Sequence, residues 1–476
     1  SASHSQLTFF DASNEQDGTR GGPALVHSLD ELKALGVDVV RLQVSWRFVA
    51  PNPDSSTRPA GFDPRNQNTY GTAGANWGSI DAVVRGATAR GMKVSLVLSG
   101  SPPTGMVPRW ASRDPSGSQS DPDPKAFEDF AYAVGQRYGG AKGSVGLAQY
   151  ISIWNEPNSR VFLRAGRGQG GAAVALLYRR LVIAGQAGLK AAGWPGTLLI
   201  GELGPTPPGK LSRPIPFLSR VLCLRKGRLG KGCEKLDVGG VAHHPYSFRR
   251  APFEAALNSG QISIGNLGLL QRLLNRARRA GAISSGAQLY NTEYGYPSRP
   301  DISTGVPRRQ QAEFNSIAEY LTYRMPGVAS YAQYLMRDDP RGSLAGGFTS
   351  GLCPPGAPDT VYAHGKGCKP AFGAFRTALV VRSRKVAQCS GATRAGCLAA
   401  TQSGPVTVWG HIRPATGVTT AQIVVRNPGA KHAVPLRTVR TDASGYFQFR
   451  ARTKSGRLWS VIWNGFGGPF VRPYAF

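Results

Sequence analysis

Apolar, β-branched runs recur at a steady interval along most of the chain. Residues 7–11, 38–46, 93–99, 149–156, 197–203, 238–246, 288–294 and 330–337 each read as a strand. Most are apolar throughout rather than alternating, which marks strands buried on both faces. Helical patterns lie between them. Ser28-Leu29-Asp30-Glu31 is a capping box, and Gly36 stops the helix that it opens. Residues 77–90 are amphipathic and end at Gly91. Asp123-Pro124 supplies an N-cap and a first-turn proline for a helix that runs to Tyr138. Segments 172–192, 264–280 and 308–323 follow, and 369–381 is the last. Strand and helix alternating in this way predict a parallel sheet with helices on both faces. Eight such units favour a closed (β/α)8 TIM barrel over an open doubly wound sheet, an α/β fold in either case. No GxGxxG follows the first strand, which weakens a dinucleotide-binding reading.

The barrel is expected to occupy 1–384. It exceeds the usual ~250 residues, so it carries insertions. The obvious ones are 47–76, 101–122, 157–171 and 338–368, and all follow strands. They therefore belong to the C-terminal face, where barrel active sites are built. From 404 the pattern changes to short alternating runs, 406–412, 421–427, 436–441, 445–451 and 458–463, separated by turn residues. These predict a small antiparallel β-sandwich at 404–476, joined by a connecting segment at 385–403. Its aromatics, Trp409, Tyr446, Trp459 and Trp463, are needed for its own small core. That favours a structural sandwich docked on the barrel over a glycan- or wall-attaching module.

Composition narrows the classes. At 476 residues the chain has room for two or three domains, and 41% apolar content allows a sizeable core. No run of about 18 apolar residues occurs, so no membrane span is expected. The N-terminus shows no charged-then-apolar leader, so either the protein is not exported or a leader has been removed. Six cysteines fall into three close pairs, Cys223/Cys233, Cys353/Cys368 and Cys389/Cys397. No CxxC or neighbouring histidine suggests zinc, so disulfides are expected, in sequential pairing among the 15 that six cysteines allow. Disulfides imply an oxidising compartment, hence a secreted protein. The net charge of +30 is scattered, and the densest basic clusters carry no interleaved aromatics. Nucleic acid is therefore not an expected partner, whereas an acidic polysaccharide is worth testing.

The chemistry concentrates in two segments. Tyr150-Ile151-Ser152-Ile153-Trp154-Asn155-Glu156-Pro157 and Gln288-Leu289-Tyr290-Asn291-Thr292-Glu293-Tyr294-Gly295 are apolar strands that each end in one carboxylate. An acid at the end of a buried strand is costly unless it is satisfied or used. On a closed barrel, strands four and seven face each other across the mouth, so Glu156 and Glu293 can share one cleft. Glycoside hydrolysis needs such a pair. Glu202, closing strand five, is a third candidate acid. Of His243 and His244 only one can point inward, and His244 shares its parity with Tyr246.

Trp154-Asn155-Glu156-Pro157 resembles the acid/base motif of glycoside hydrolase clan A, the retaining (β/α)8 glycosidases, and Thr292-Glu293-Tyr294-Gly295 is similar to the clan's nucleophile segment. The likeness spans roughly 1–384 and is closest to families 5 and 39. It implies Glu156 as acid/base, Glu293 as nucleophile and Asn155 on the sugar 2-hydroxyl. It further implies Arg41 beneath the nucleophile and His244-Pro245-Tyr246 in its support. It implies no metal and no cofactor, an oligo- or polysaccharide or glycoside substrate, and an equatorial linkage of β-D or α-L-arabinose type in plant or microbial glycans. Two positions depart from the clan. Ser99-Gly100-Ser101 stands where a histidine often closes strand three, and 332–338 lacks the usual tryptophan of strand eight. Trp46, Trp77, Trp110 and Tyr296 are candidate sugar-stacking rings. The rival reading is a non-catalytic glycan-binding barrel.

Overall fold

A computed structural model describes residues 5–11, 23–101, 105–114, 116, 120–166, 169–205, 212–256, 260–301, 304–339, 347–358, 364–384 and 403–476. Eight parallel strands form a closed barrel in sequential order. They are β1 (Leu7–Asp11), β2 (Val39–Ser45), β3 (Lys93–Ser99), β4 (Tyr150–Ile153), β5 (Thr197–Leu203), β6 (Gly240–His243), β7 (Gln288–Asn291) and β8 (Val328–Tyr334). Their apolar residues are almost wholly buried, as strands sandwiched between a barrel interior and a helical layer must be. Helices α1 (Pro23–Ala34), α2 (Gly78–Ala89), α3 (Pro124–Arg137), α4 (Gly171–Ala191), α5 (Pro214–Val221), α6 (Gly268–Arg279), α7 (Arg308–Tyr323) and α8 (Pro370–Arg376) surround it. The Asp123 side chain caps α3 by accepting from the Lys125 N–H at 2.7 Å, with Pro124 in the first turn. By length and composition α4 is apolar enough to cross a membrane, but it is mostly buried and packs along α3.

Several strands end earlier than the hydrophobic pattern suggests. β4, β6 and β7 stop at Ile153, His243 and Asn291, so the chemistry-bearing residues sit just beyond the ladder. The expected helix at 369–381 is corrected. It ends at Arg376, and Thr377–Ser383 is a strand, β9, whose β-branched residues pair antiparallel with the sandwich. The sandwich therefore takes a strand from within the segment first assigned to the barrel.

Its other strands are β10 (Gly404–Ile412), β11 (Thr420–Arg426), β12 (Val434–Arg440), β13 (Tyr446–Thr453), β14 (Leu458–Trp463), β15 (Phe466–Gly467) and β16 (Tyr474–Ala475). The two sheets run β13–β10–β9–β16 and β12–β11–β14–β15. Between them lies a core that includes Ile423, Val408, Trp459 and Val461. The first sheet docks on α7 through Trp409, which packs against Tyr320 and Tyr323. Two buried glutamates of α7 complete the joint. Glu313 takes Arg472 at 2.6 Å and the Tyr474 hydroxyl. Glu319 takes Arg413 at 3.1 Å and His411 at 2.6 Å. Against burial, Arg413 and His411 hold the Glu319 carboxyl below the usual range.

Disulfides join Cys223 to Cys233 and Cys353 to Cys368, in accord with an oxidising compartment. The first closes around a small hairpin, Leu224–Arg225 with Arg228–Leu229, that the pattern does not anticipate. Cys389 and Cys397 lie outside the described residues.

Candidate active site

The barrel brings Glu156 and Glu293 together. One carboxylate oxygen of each lies within 4.8 Å of the other and of a His244 ring nitrogen. Both acids stay partly open to the cleft, with side chains 18% and 11% exposed. Beneath them the polar groups are wholly buried.

Arg41, on β2, is the centre of this layer. Nη1 donates to Glu293 at 3.1 Å and to Asp11, and Nη2 donates to Asn155 at 3.0 Å and Glu202 at 2.9 Å. Burial opposes its charge, but Glu202, Asp11 and Glu293 outweigh it and raise its pKa. The Tyr246 hydroxyl donates to the other Glu293 oxygen at 2.8 Å. Burial pushes the Glu293 carboxyl up, and His244 and Arg41 pull against it. The nucleophile candidate is thus held by two donors that favour its anion.

His244 links the two acids to the floor. Nδ1 meets Glu156 at 3.0 Å and Nε2 meets Glu202 at 2.7 Å. Both partners are carboxyl groups, which favours a charged ring that donates to each. Burial disfavours that charge, yet Glu293, Glu156 and Glu202 raise the pKa to about 10. Glu156, His244 and Glu293 lie close enough to form a metal site, but here His244 has both ring nitrogens on carboxyl groups. His243 turns the other way, its Nε2 against the Ile262 carbonyl at 2.9 Å.

Glu202 is not a competing catalytic acid. It is fully buried and accepts from Arg41, His244, Ser152 at 2.6 Å and Thr292 at 2.7 Å. Burial alone would raise its pKa, but Arg41 and His244 push it below the carboxylate range. It is a fixed anion that orients the cations above it. Asp11, at the end of β1, plays the same part and was missed from sequence. The signal was there: it too is an acid closing an apolar strand.

The backbone at this end of the barrel is strained. Trp154, Glu156 and Glu202 have φ of 64°, 39° and 42°. Non-glycine residues adopt this region at a cost of order 1–3 kcal/mol each, and only where packing enforces it. Here the Glu156 N–H donates to the Glu202 carbonyl at 2.9 Å, and the Trp154 N–H to the Leu98 carbonyl at 2.8 Å. The kink turns the Glu156 side chain into the cleft.

The candidate stacking rings need correction. Trp46 and Trp77 are fully buried in the helical layer, where each stacks on Phe130. Trp46 opens a single helical turn, Trp46–Val49, which carries it away from the cleft. Trp110 is half-buried beneath Arg58. Tyr296 is buried against Phe314 and donates to the Arg250 carbonyl at 2.6 Å. The exposed rings beside the acids are ones the pattern did not select. Phe248 stacks on Tyr246, and Phe348 packs edge-on against Tyr334, whose charge environment includes Glu293.

His244 makes a pH prediction. Its positive charge lowers the Glu293 pKa, so neutral His244→Asn should raise it. The acid limb of the kcat/KM profile should move up by about one to two pH units. A limb that stays put or moves down would remove His244 from the electrostatics of the dyad. Linkage adds a second check. A folded pKa of about 10 lies above the unfolded value near 6.5, so the histidine's stabilisation is complete below ~6.5 and fades as pH rises through 10.

No family model and no curated protein matches the sequence. The fold does match solved structures, among them glycoside hydrolases. A family 39 glycoside hydrolase from Bacteroides cellulosilyticus WH2 superposes with a TM-score of 0.51 at 14% identity, covering 96% of this chain and 81% of that one. A family 39 enzyme from Xanthomonas axonopodis pv. citri gives a TM-score of 0.48 at 15% identity, over 96% and 93% of the two chains. A family 30 endoxylanase from Clostridium papyrosolvens C71 gives 0.48 at 11%, over 97% of each. The first of these likenesses establishes a common fold, a barrel with a C-terminal sandwich region, and nothing finer.

Proposed function

We propose that this chain is a secreted retaining O-glycoside hydrolase. The observation that carries the reading is the Glu156–Glu293 pair, with carboxylate oxygens within 4.8 Å over a floor of Arg41 and His244. Retaining enzymes hold their carboxyls about 5–5.5 Å apart, whereas inverting ones leave about 6.5–9.5 Å for a water. The short separation therefore supports double displacement.

Glu156 protonates the glycosidic oxygen as the bond to the anomeric carbon breaks. Glu293 attacks that carbon and forms a glycosyl ester, and the leaving group departs as an alcohol. Glu156, now ionised, takes a proton from water, whose oxygen attacks the same carbon and releases Glu293. Tyr246 and Arg41 hold Glu293 in line, and Asn155, which accepts from Arg41, takes the sugar 2-hydroxyl on the clan likeness. The clan likeness favours an equatorial bond, β-D or α-L-arabinose-type, in plant or microbial glycans. The charge of +30 makes uronic-acid-containing polymers the first to try.

The deciding experiment is proton NMR of the first-formed product on a nitrophenyl glycoside that the protein cleaves. Retention of the anomeric configuration is expected. An inverted product would overturn the nucleophile role of Glu293, and no cleavage across a broad sugar panel would overturn the activity.

A further inference from the structure

Residues 404–476 carry ten lysines and arginines and a single acid, Asp442. Asp442 is engaged in its own turn, accepting from the Ser444 and Tyr446 N–H groups at 2.9 Å. The cations are unevenly placed. Arg413 and Arg472 are spent on the barrel joint. The exposed ones gather where the two sheets present their edge strands, β12 and β13, on the same side of the sandwich.

Arg437, from β12, lies 4.9 Å over the Phe449 ring of β13, so the two edges meet. Arg440, one step past the inward-facing Val439, points out of the other sheet and is not part of this line. Arg450 and Arg452 alternate along β13 and so share one face, about 7 Å apart. Lys454 continues the line. Arg437, Arg450, Arg452 and Lys454 are exposed, and among the described residues none has a carboxylate partner. Some barrel arginines, such as Arg47, Arg90, Arg113 and Arg337, are paired with acids, whereas Arg272, Arg276 and Arg279 of α6 are exposed and, among the described residues, equally without a carboxylate partner.

An exposed edge needs only a charge or two to block strand pairing. Four cations of one sign, without compensation, repel one another and lower stability unless an anion satisfies them. We infer that the β12–β13 edge of the sandwich is a binding strip for a carboxylate-bearing polysaccharide, and that it holds the polymer while the barrel cleaves. This choice of polymer rests on the glycan-cleaving reading above. The surface itself supports it over nucleic acid. Exposed large apolar residues of the sandwich are Val418, Val434, Leu436 and Ile462, and the half-buried ring at the strip, Phe449, is covered by Arg437 rather than open to a base. Guanidinium groups grip carboxylates in paired hydrogen bonds, and a linear strip suits a repeating chain of them.

The test uses the full chain and two forms of one polymer, polygalacturonate and its fully methyl-esterified form. Wild type should bind the acid form, with affinity that falls as salt rises, and should bind the ester far less. Arg437→Gln/Arg450→Gln/Arg452→Gln should weaken binding roughly tenfold, while the corresponding lysine triple keeps most of it. A control triple on the exposed face of α6, Arg272→Gln/Arg276→Gln/Arg279→Gln, removes the same charge and should change binding by less than about twofold. Turnover of a small aryl glycoside should be unchanged in all three. Equal losses in the strip and control triples would reduce the effect to net charge and overturn the strip. So would ester bound as tightly as acid, or duplex DNA or phosphatidylglycerol vesicles bound more tightly than polygalacturonate. Binding that follows the expected pattern without any turnover would overturn the hydrolase reading alone. Turnover without such binding would overturn the strip alone.

Discussion

Glu293→Gln should lower kcat on any glycoside the protein cleaves by on the order of 10⁴-fold or more, without unfolding it. The amide keeps the shape: its oxygen can accept from Arg41 while its NH2 donates to the Tyr246 hydroxyl. What is lost is the anion that forms the bond to the anomeric carbon. Stability should hold or rise slightly, because a buried acid crowded by Asp11 and Glu156 is replaced by a neutral group. Glu156→Gln should behave differently, and the difference separates the roles. A nitrophenolate leaves without a proton, so the first step should survive on that substrate and collapse on a poor leaving group. Azide makes the contrast visible. In Glu293→Gly it can enter the vacated space and attack the carbon as the C–O bond breaks and Glu156 protonates the oxygen, giving an inverted glycosyl azide. In Glu156→Gly it attacks the glycosyl ester and gives a retained one. If Glu293→Gln turns over within tenfold of wild type, Glu293 is not the nucleophile.

The same reasoning shows how far the site could be read from residue order. Glu156 and Glu293 stood out because an acid ended an apolar run. That criterion applies equally to Asp11 and Glu202, and only their depth separates the four. Depth depends on whether the strand stops before or after the acid, and a tilt of the barrel decides it. Glu202 lies on the last turn of a long ladder and faces Arg41, whereas Glu156 follows a ladder that stops at Ile153. Trp46, at the end of the apolar run 38–46, was a platform candidate only because an aromatic ring face can stack on a sugar. Ser45 caps a single turn there, accepting from the Phe48 N–H, and swings the indole into the helical layer. Local pattern fixes that a turn exists but not which way it throws the ring. Residues 377–381 read as the end of a helix over 369–381. The β-branched residues of 377–383 find partners in 406–412, a pairing that only the assembled sandwich supplies.

Removing Arg41 should produce the largest loss of stability available at this site. Arg41→Met leaves Asp11 and Glu202, both fully buried, and Glu293 without their common cation. Breaking a buried ion pair from one side costs about 3–5 kcal/mol, since the stranded charge keeps its desolvation penalty. Arg41→Lys should fold better and still lose roughly 10²-fold in kcat. One ammonium cannot reproduce a fork whose two arms serve Asp11 and Glu293 on one side and Asn155 and Glu202 on the other. The pH dependence distinguishes this account from simple loss of packing. In wild type the Glu202 pKa is depressed, so its stabilisation is present above the usual carboxylate value and fades as pH falls through the folded one. In Arg41→Met the stranded acids have raised values, and their penalty is greatest near neutrality and relieved by protonation. The stability gap between wild type and Arg41→Met, from denaturant unfolding, should therefore be widest near pH 7 and narrow toward pH 4. A gap that is flat or widens on acidification would mean that Arg41 acts as a spacer, and the charged floor beneath the two glutamates would lose its electrostatic role.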